Sequence, residues 1–100
     1  MISNVHEEGS WIKVYDQNSR KISQMGSHKV TILGIASDFF VVEEGSWIKT
    51  YDENCRKIAQ MAAQHVVVRG AAGQTFTVLE GSWLKVYDKN CRKISQKSAK

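Results

Sequence analysis

Trp11, Lys13 and Tyr15 stand two residues apart in the stretch Trp11-Ile-Lys-Val-Tyr15, and the trio returns as Trp47, Lys49, Tyr51 and as Trp83, Lys85, Tyr87. Alternate side chains of an extended chain share a face, so each trio sets a cation between two aromatic rings. Such a face can stack a sugar ring or a base on the indole and hold polar groups through the ammonium. These nine residues are the candidate ligand-binding set. The same groups suit a second role, in which the aromatics seal one unit against the next and the lysine stem covers their edges. Sealing is the expectation carried forward.

Other chemistries find less to work with. Arg20-Lys21, Arg56-Lys57 and Arg92-Lys93 place a basic pair at a fixed position, a rim that could meet phosphates, but Asp16, Asp52 and Asp88 stand close enough in sequence to neutralise part of it. His6, His28 and His65 fall at non-equivalent positions, and none lies beside a serine, cysteine or carboxylate pattern that names a nucleophile or an acid/base pair. There is no glycine-rich phosphate loop and no zinc-type spacing of Cys and His. The chain is read as not an enzyme, with no metal and no cofactor. Cys55 and Cys91 share a position that holds Ser19 in the first copy, which suits a small turn residue better than half of a disulfide.

The elements that must position these groups come from a repeat. Gly9 to Met25 recurs at Gly45 to Met61 and at Gly81 to Lys97, 36 residues apart each time, with 11 of 17 positions identical in all three. One supersecondary unit has been copied, and such units bury their apolar faces on one another. Trp11 to Asp16 alternates and is rich in aromatic and branched residues, Gln17-Asn-Ser-Arg20 has turn chemistry, and Lys21 to Met25 follows, which predicts a β-hairpin. Asn18, Asn54 and Asn90 are expected to take the left-handed conformation, with Asp16, Asp52 and Asp88 bonding back to the turn amides. A second hairpin is predicted over Val30 to Ala36 and Phe39 to Glu44, and likewise over Val66 to Ala72 and Thr75 to Glu80. Gly9, Gly45 and Gly81 punctuate the junction into each copy. Gly34 and Gly70 sit inside strand patterns, which suggests a bulge or a close approach of two backbones.

Laid over the repeat, residues 1 to 8 match 37 to 44 and residues 97 to 100 match 61 to 64, so only the equivalent of His65 to Ala72 is missing. The N-terminal strand is therefore expected to complete the C-terminal half unit of its own or a neighbouring chain. A chain of 100 residues makes at most one domain and buries a modest share of its surface, so oligomerisation is expected. With 42% hydrophobic and 24% charged residues and no run near the roughly 18 apolar residues of a membrane span, it reads as soluble, with no membrane partner. Met1 to Glu8 lacks the basic and apolar regions of a secretory signal, so a cytoplasmic location is expected. The net charge of +4 is spread through every repeat, and nucleic acid is not the expected partner.

The hairpin Trp-Ile-Lys-Val-Tyr-Asp-x-Asn-x-Arg-Lys-Ile resembles blades of β-propellers, particularly small propeller lectins in which short chains assemble into one ring. It is also similar to the Val-x-Tyr-Asp-x-Asn hairpin of bulb-type mannose lectins, which have a β-prism fold of three four-stranded units. Both resemblances cover the hairpin alone. Gly9, Trp11 and Lys13 depart from the bulb-lectin sugar motif, and the second hairpin holds Val, Ile, Phe and Thr where fucose-type propellers are Trp-rich, so neither sugar site carries over. The fold expected is a single all-β repeat domain, residues 1 to 100, of three tandem four-stranded antiparallel units, forming a propeller-like ring by oligomerisation. A dimer of six units is the simplest case, and the alternative is a monomeric pseudo-threefold β-prism or β-trefoil. The function expected is an oligomeric binding or scaffolding module, with a carbohydrate-binding lectin using the Trp/Tyr/Lys face as the alternative.

Overall fold

Alternation of apolar and polar residues between Gly, Asn, Asp and Ser turns yields strands and no helix in the computed structural model, which describes residues 1–99. The strands are β1 (Asn4–Glu8), β2 (Trp11–Tyr15), β3 (Lys21–Gly26), β4 (Val30–Ile35), β5 (Phe39–Glu44), β6 (Trp47–Asp52), β7 (Lys57–Ala62), β8 (Val66–Ala72), β9 (Thr75–Glu80), β10 (Trp83–Asp88) and β11 (Lys93–Ser98). They pair with their chain neighbours as three antiparallel sheets: β1-β2-β3, β4-β5-β6-β7 and β8-β9-β10-β11. The protein is all-β, built from repeated hairpins. Among the described residues no helix is long and apolar enough to cross a membrane.

The sheets are phased differently from the sequence copies. Gly9, Gly45 and Gly81 are hairpin tips rather than junctions: Gly45 has φ 63° and, with Ser46, turns β5 straight into β6 with Glu44 opposite Trp47. The sheet changes instead after β3 and β7, where Lys29 and His65 take φ near 60°. The N-terminal strand is placed accordingly. β1 pairs along its length with β2, from Asn4 opposite Tyr15 to Glu8 opposite Trp11, while the third sheet already has four strands of its own. Within the chain, β1 therefore does not complete the C-terminal sheet, and the three-stranded sheet is the first.

Each sheet has a back face and a front face, and the back of one packs on the front of the next. Between the first two sheets, Val5, Ile12 and Val14 meet Val30, Phe40, Val42 and Tyr51, with Ile22, Met25 and Cys55 at the margin. Between the second and third, Phe39, Val41 and Ile48 meet Phe76 and Val78, flanked by Ile58, Met61, Tyr87 and Cys91. Apart from Phe39, which stands where the first sheet has Ser3, the residues of the second joint are positions of the first moved on by 36. The first and third sheets share no such cluster among the described residues.

A hydroxyl crosses each joint. Ser23 Oγ donates to the Glu53 carbonyl at 2.6 Å, and at the next joint Thr50 Oγ1 donates to the Lys89 carbonyl at 2.6 Å. Glu53 and Lys89 are equivalent, but Ser23 and Thr50 are not. Val14 faces Ser23 across β2 and β3, whereas Thr50 faces Ala59 across β6 and β7, so the hydroxyl has moved to the opposite strand while the bond is kept. An ion pair accompanies each: the Met1 ammonium with Glu53 at 3.1 Å, and Lys89 with Asp38 at 3.1 Å.

In the hairpin turns, Asp16 Oδ1 accepts from the amides of Asn18 and Arg20 at 2.8 and 3.0 Å, and Asp52 and Asp88 do the same one and two copies on. These bonds hold the carboxyl of Asp16 below its ordinary range, the Arg20 amide contributing most. The left-handed residue is not the asparagine but the one after it: Ser19, Cys55 and Cys91 have φ of 62°, 61° and 60°. Anchoring of the Asn amide by the aspartate passes the reversal one residue on, to a small side chain. Both cysteines are free thiols.

Gly34 and Gly70 each lie at a bulge, between Ile32 and Gly34 on β4 and between Val68 and Gly70 on β8. Only Gly34 also meets a second backbone, since a Cβ there would sit 3.1 Å from Ala71 Cβ and 3.2 Å from the Ala71 nitrogen; at Gly70 it would enter open space. Gly34→Ala is expected to cost about 1–3 kcal/mol in urea unfolding, as overpacking against backbone does. Gly70→Ala should stay within about 0.5 kcal/mol of the native protein. Equal losses at the two sites would refute the close approach of β4 and β8.

Candidate functional site

Trp11, Trp47 and Trp83 begin β2, β6 and β10 directly after the glycine tips, and they are 46%, 43% and 45% exposed. None belongs to either buried cluster. This overturns sealing as their role, since joints are filled by Ile, Val, Phe and Met instead. The tyrosines behave differently. Tyr51 is buried and stacks on Phe40 with ring centroids 5.7 Å apart, and Tyr87 stacks on Phe76 at 5.6 Å, so these two do seal the sheets. Each sequence trio is therefore divided: its Tyr end is packing in the second and third sheets, and its Trp end is surface in all three.

Beside each tryptophan a polar row crosses the sheet. Glu8, Glu44 and Glu80 pair across the strand with Trp11, Trp47 and Trp83, and so present their carboxylates on the same face. Those carboxylates accept from Lys13, Lys49 and Lys85 at 3.5, 3.1 and 2.8 Å. On the other side of each lysine lies Gln24, Gln60 or Gln96, which accepts from Lys21, Lys57 or Lys93 at 2.8, 3.1 and 2.8 Å. The hydrogen bond from Lys85 to Glu80 raises the lysine above its ordinary value against the opposing effect of burial. A lysine held as the ammonium donates hydrogen bonds and is a poor nucleophile.

The glutamates and glutamines belong to the site although the trio pattern passes over them. Their signal was available: a Glu precedes Gly9, Gly45 and Gly81, and a Gln follows each Lys-Ile pair two residues on. The lysines of the basic pairs are engaged by these glutamines, and Arg20, Arg56 and Arg92 are exposed.

The first sheet departs from the pattern on its uncovered front. Tyr15 stacks on His6 at 5.1 Å and donates to Glu8 Oε2 at 2.9 Å, and His6 pairs with the same carboxylate while its other ring nitrogen meets Asn4. Glu8 is held below the ordinary carboxylate range, first by Tyr15, then by His6 and Lys13. The carboxylate shared three ways accounts for the long bond to Lys13. His28 and His65 lie exposed in the loops between sheets, where the His65 ring meets the Gln64 amide at 3.5 Å.

An indole beside a carboxylate, an ammonium and an amide offers one flat apolar plane bordered by acceptors and donors. That is the set of groups that holds a polyhydroxylated ring or a polar side chain of another protein. No protein-family model matches the chain, and no curated protein matches it.

Trp47→Ala should cost about 1–2 kcal/mol in equilibrium unfolding, against the roughly 3–5 kcal/mol of truncating a core aromatic, and iodide should quench the native indoles. A loss in the core range would restore the sealing role. For the thiols, burial pushes both Cys55 and Cys91 up. At pH 8 they should react slowly with an aromatic disulfide until denaturant is added; immediate reaction of both in the native protein would mean that the joints are open.

Proposed function

We propose that the protein is a non-enzymatic binding or scaffolding module that works as a homo-oligomer and offers one surface in several copies. The observation that carries this reading is the constancy of the tryptophans. Three indoles keep nearly the same exposure, 46%, 43% and 45%, although the tyrosines four residues on range from stacked and buried to hydrogen-bonded at the surface. Folding alone gains little from holding a large apolar ring half in water, and a surface partner gains a rigid anchor. Copies on one body bind by avidity, so a weak single site suffices.

A carbohydrate-binding lectin is the second reading. It is favoured by the Glu–Lys–Gln row beside each indole, which supplies donors and acceptors at the border of a stacking plane. A glycan array read with the native protein and with the Trp11→Ala/Trp47→Ala/Trp83→Ala variant separates the two. Signal that the triple substitution lowers at least about 10-fold assigns the face to sugars, and a silent array removes the lectin reading. Light scattering tests the oligomer itself, and a mass of one chain at micromolar concentration would refute the proposal.

A further inference from the structure

The third sheet repeats a surface that is buried elsewhere in the molecule. β3 and β7 are half covered by the sheet that follows, whereas β11, with nearly the same sequence, is exposed along its whole length. Ile94 stands where Ile22 and Ile58 enter the two joints and is 57% exposed. Leu84 and Val86 hold the places of the buried Ile12 and Val14, and with Thr77, Ser95, Gln96 and Lys97 they line a depression of about 460 Å³.

Among the described residues, the front of the first sheet is the one front on which no other sheet packs. It keeps Tyr15 at the place of Tyr51 and Tyr87, but has Asn4 for Phe40 and Phe76, His6 for Val42 and Val78, and Ser19 for Cys55 and Cys91. The back of the third sheet has changed in the same sense, with Thr77 for Val5 and Val41 and Lys97 for Met25 and Met61. Two independent solvated caps would account for polarity, but they would not account for the matching of individual partners.

Three such matches stand in the sequence positions that make the internal joints. Ser95 is the equivalent of Ser23, the hydroxyl donor, and the carbonyl it would need is that of Gln17, the equivalent of Glu53 and Lys89. At the charged contact the internal joints use an ammonium on Glu53 and Asp38 on Lys89, with the sign reversed from one to the next. The Met1 ammonium stands one residue before Ile2, the equivalent of Asp38; the third sheet has Gln74 at the place of Asp38 and the first has Gln17 at the place of Lys89, an uncharged pair of amides that can satisfy each other. Finally, Ser19 is where Cys55 lies 3.1 Å from the hydroxyl of Ser23.

We infer that the back of the third sheet docks on the front of the first sheet of a second copy, and that two identical joints of this kind close two chains into a ring of six sheets. This joint rests on the oligomeric reading proposed above and specifies its surfaces. The contact is head-to-tail, so closure after two copies is what prevents a filament.

The test is a cysteine pair across the joint. In the Cys55→Ser/Cys91→Ser/Ser19→Cys/Ser95→Cys protein, mild oxidation should give a covalent dimer on a non-reducing gel, while variants with either new cysteine alone stay unlinked. The internal positive control is Ser23→Cys in the otherwise native chain, which should link to Cys55. A native dimer by light scattering that does not cross-link would overturn the joint and leave the oligomer standing. A native chain that is monomeric at micromolar concentration would overturn both, and a ladder of larger linked species would overturn closure at two copies. Because the Ile94 side chain is outside the core of the single chain, Ile94→Glu gives a second measurement: it should convert the dimer to folded monomer with its circular dichroism unchanged, and retention of the dimer would reject the surface.

Discussion

Face-to-face burial of one small sheet on the next is the interaction on which everything else in this molecule depends. A sheet of three or four short strands has no interior of its own, and its backbone bonds are already satisfied within the sheet. What remains is two apolar faces. The repeat settles the matter by making them complementary: Ile, Val and Met on the back of each sheet meet Phe, Val and Tyr on the front of the next. Because the copies are related by a constant step, the two internal joints are made by largely equivalent residues.

The two joints show which part of that fit is obligatory. Residues at the hydroxyl position have drifted from Val14 and Ser23 to Thr50 and Ala59, and the charged pair has exchanged its signs, yet each joint keeps one side-chain hydroxyl on the same backbone carbonyl and one ion pair nearby. The carbonyl follows the left-handed turn's aspartate and so lies next to a fixed loop. A half-buried carbonyl at the edge of an apolar joint is better satisfied by a donor, and leaving a carbonyl without one costs up to about 1–3 kcal/mol where burial is complete. That cost explains why the donor is kept when the strand that supplies it changes.

Strand boundaries were legible because alternation and turn chemistry are local: Val66 to Ala72 and Thr75 to Glu80 emerge as read. The bulges at Gly34 and Gly70 were legible for the same reason. Sheet phase was not, since a glycine tip between hairpins and a loop between sheets look alike until hydrogen-bond partners are known. The asparagines illustrate a finer limit: Asn tolerates the left-handed region, but Asp16 binds the Asn18 amide, and the geometry moves the positive φ to Ser19. The tryptophans were misread because size and apolarity suggest burial, while their position at the strand end, beside Glu and Lys, decides for the surface. The glutamates were in plain sight at the repeat period and fell just outside the conserved hairpin.

The packed tyrosines and the exposed tryptophans share one face, and this couples them. On β6 the same row of side chains runs from Trp47 at the surface through Lys49 to Tyr51 under the first sheet. Lys49 stands at the boundary, its side chain 18% exposed and bonded to Glu44, so the position of the ammonium depends on the sheet that covers the tyrosine. The first sheet shows what happens where nothing covers it: Tyr15 turns its hydroxyl to Glu8, His6 joins the carboxylate, and the Lys13 bond lengthens to 3.5 Å. A sheet therefore acquires the tight Glu–Lys geometry of the other two where its tyrosine is engaged by apolar neighbours rather than by its own glutamate. The difference among the three surfaces thus follows the surroundings of the tyrosine, Asn4 and His6 in the first sheet against Phe and Val in the other two, and not the identity of the Trp, Lys and Glu residues, which is the same in all three.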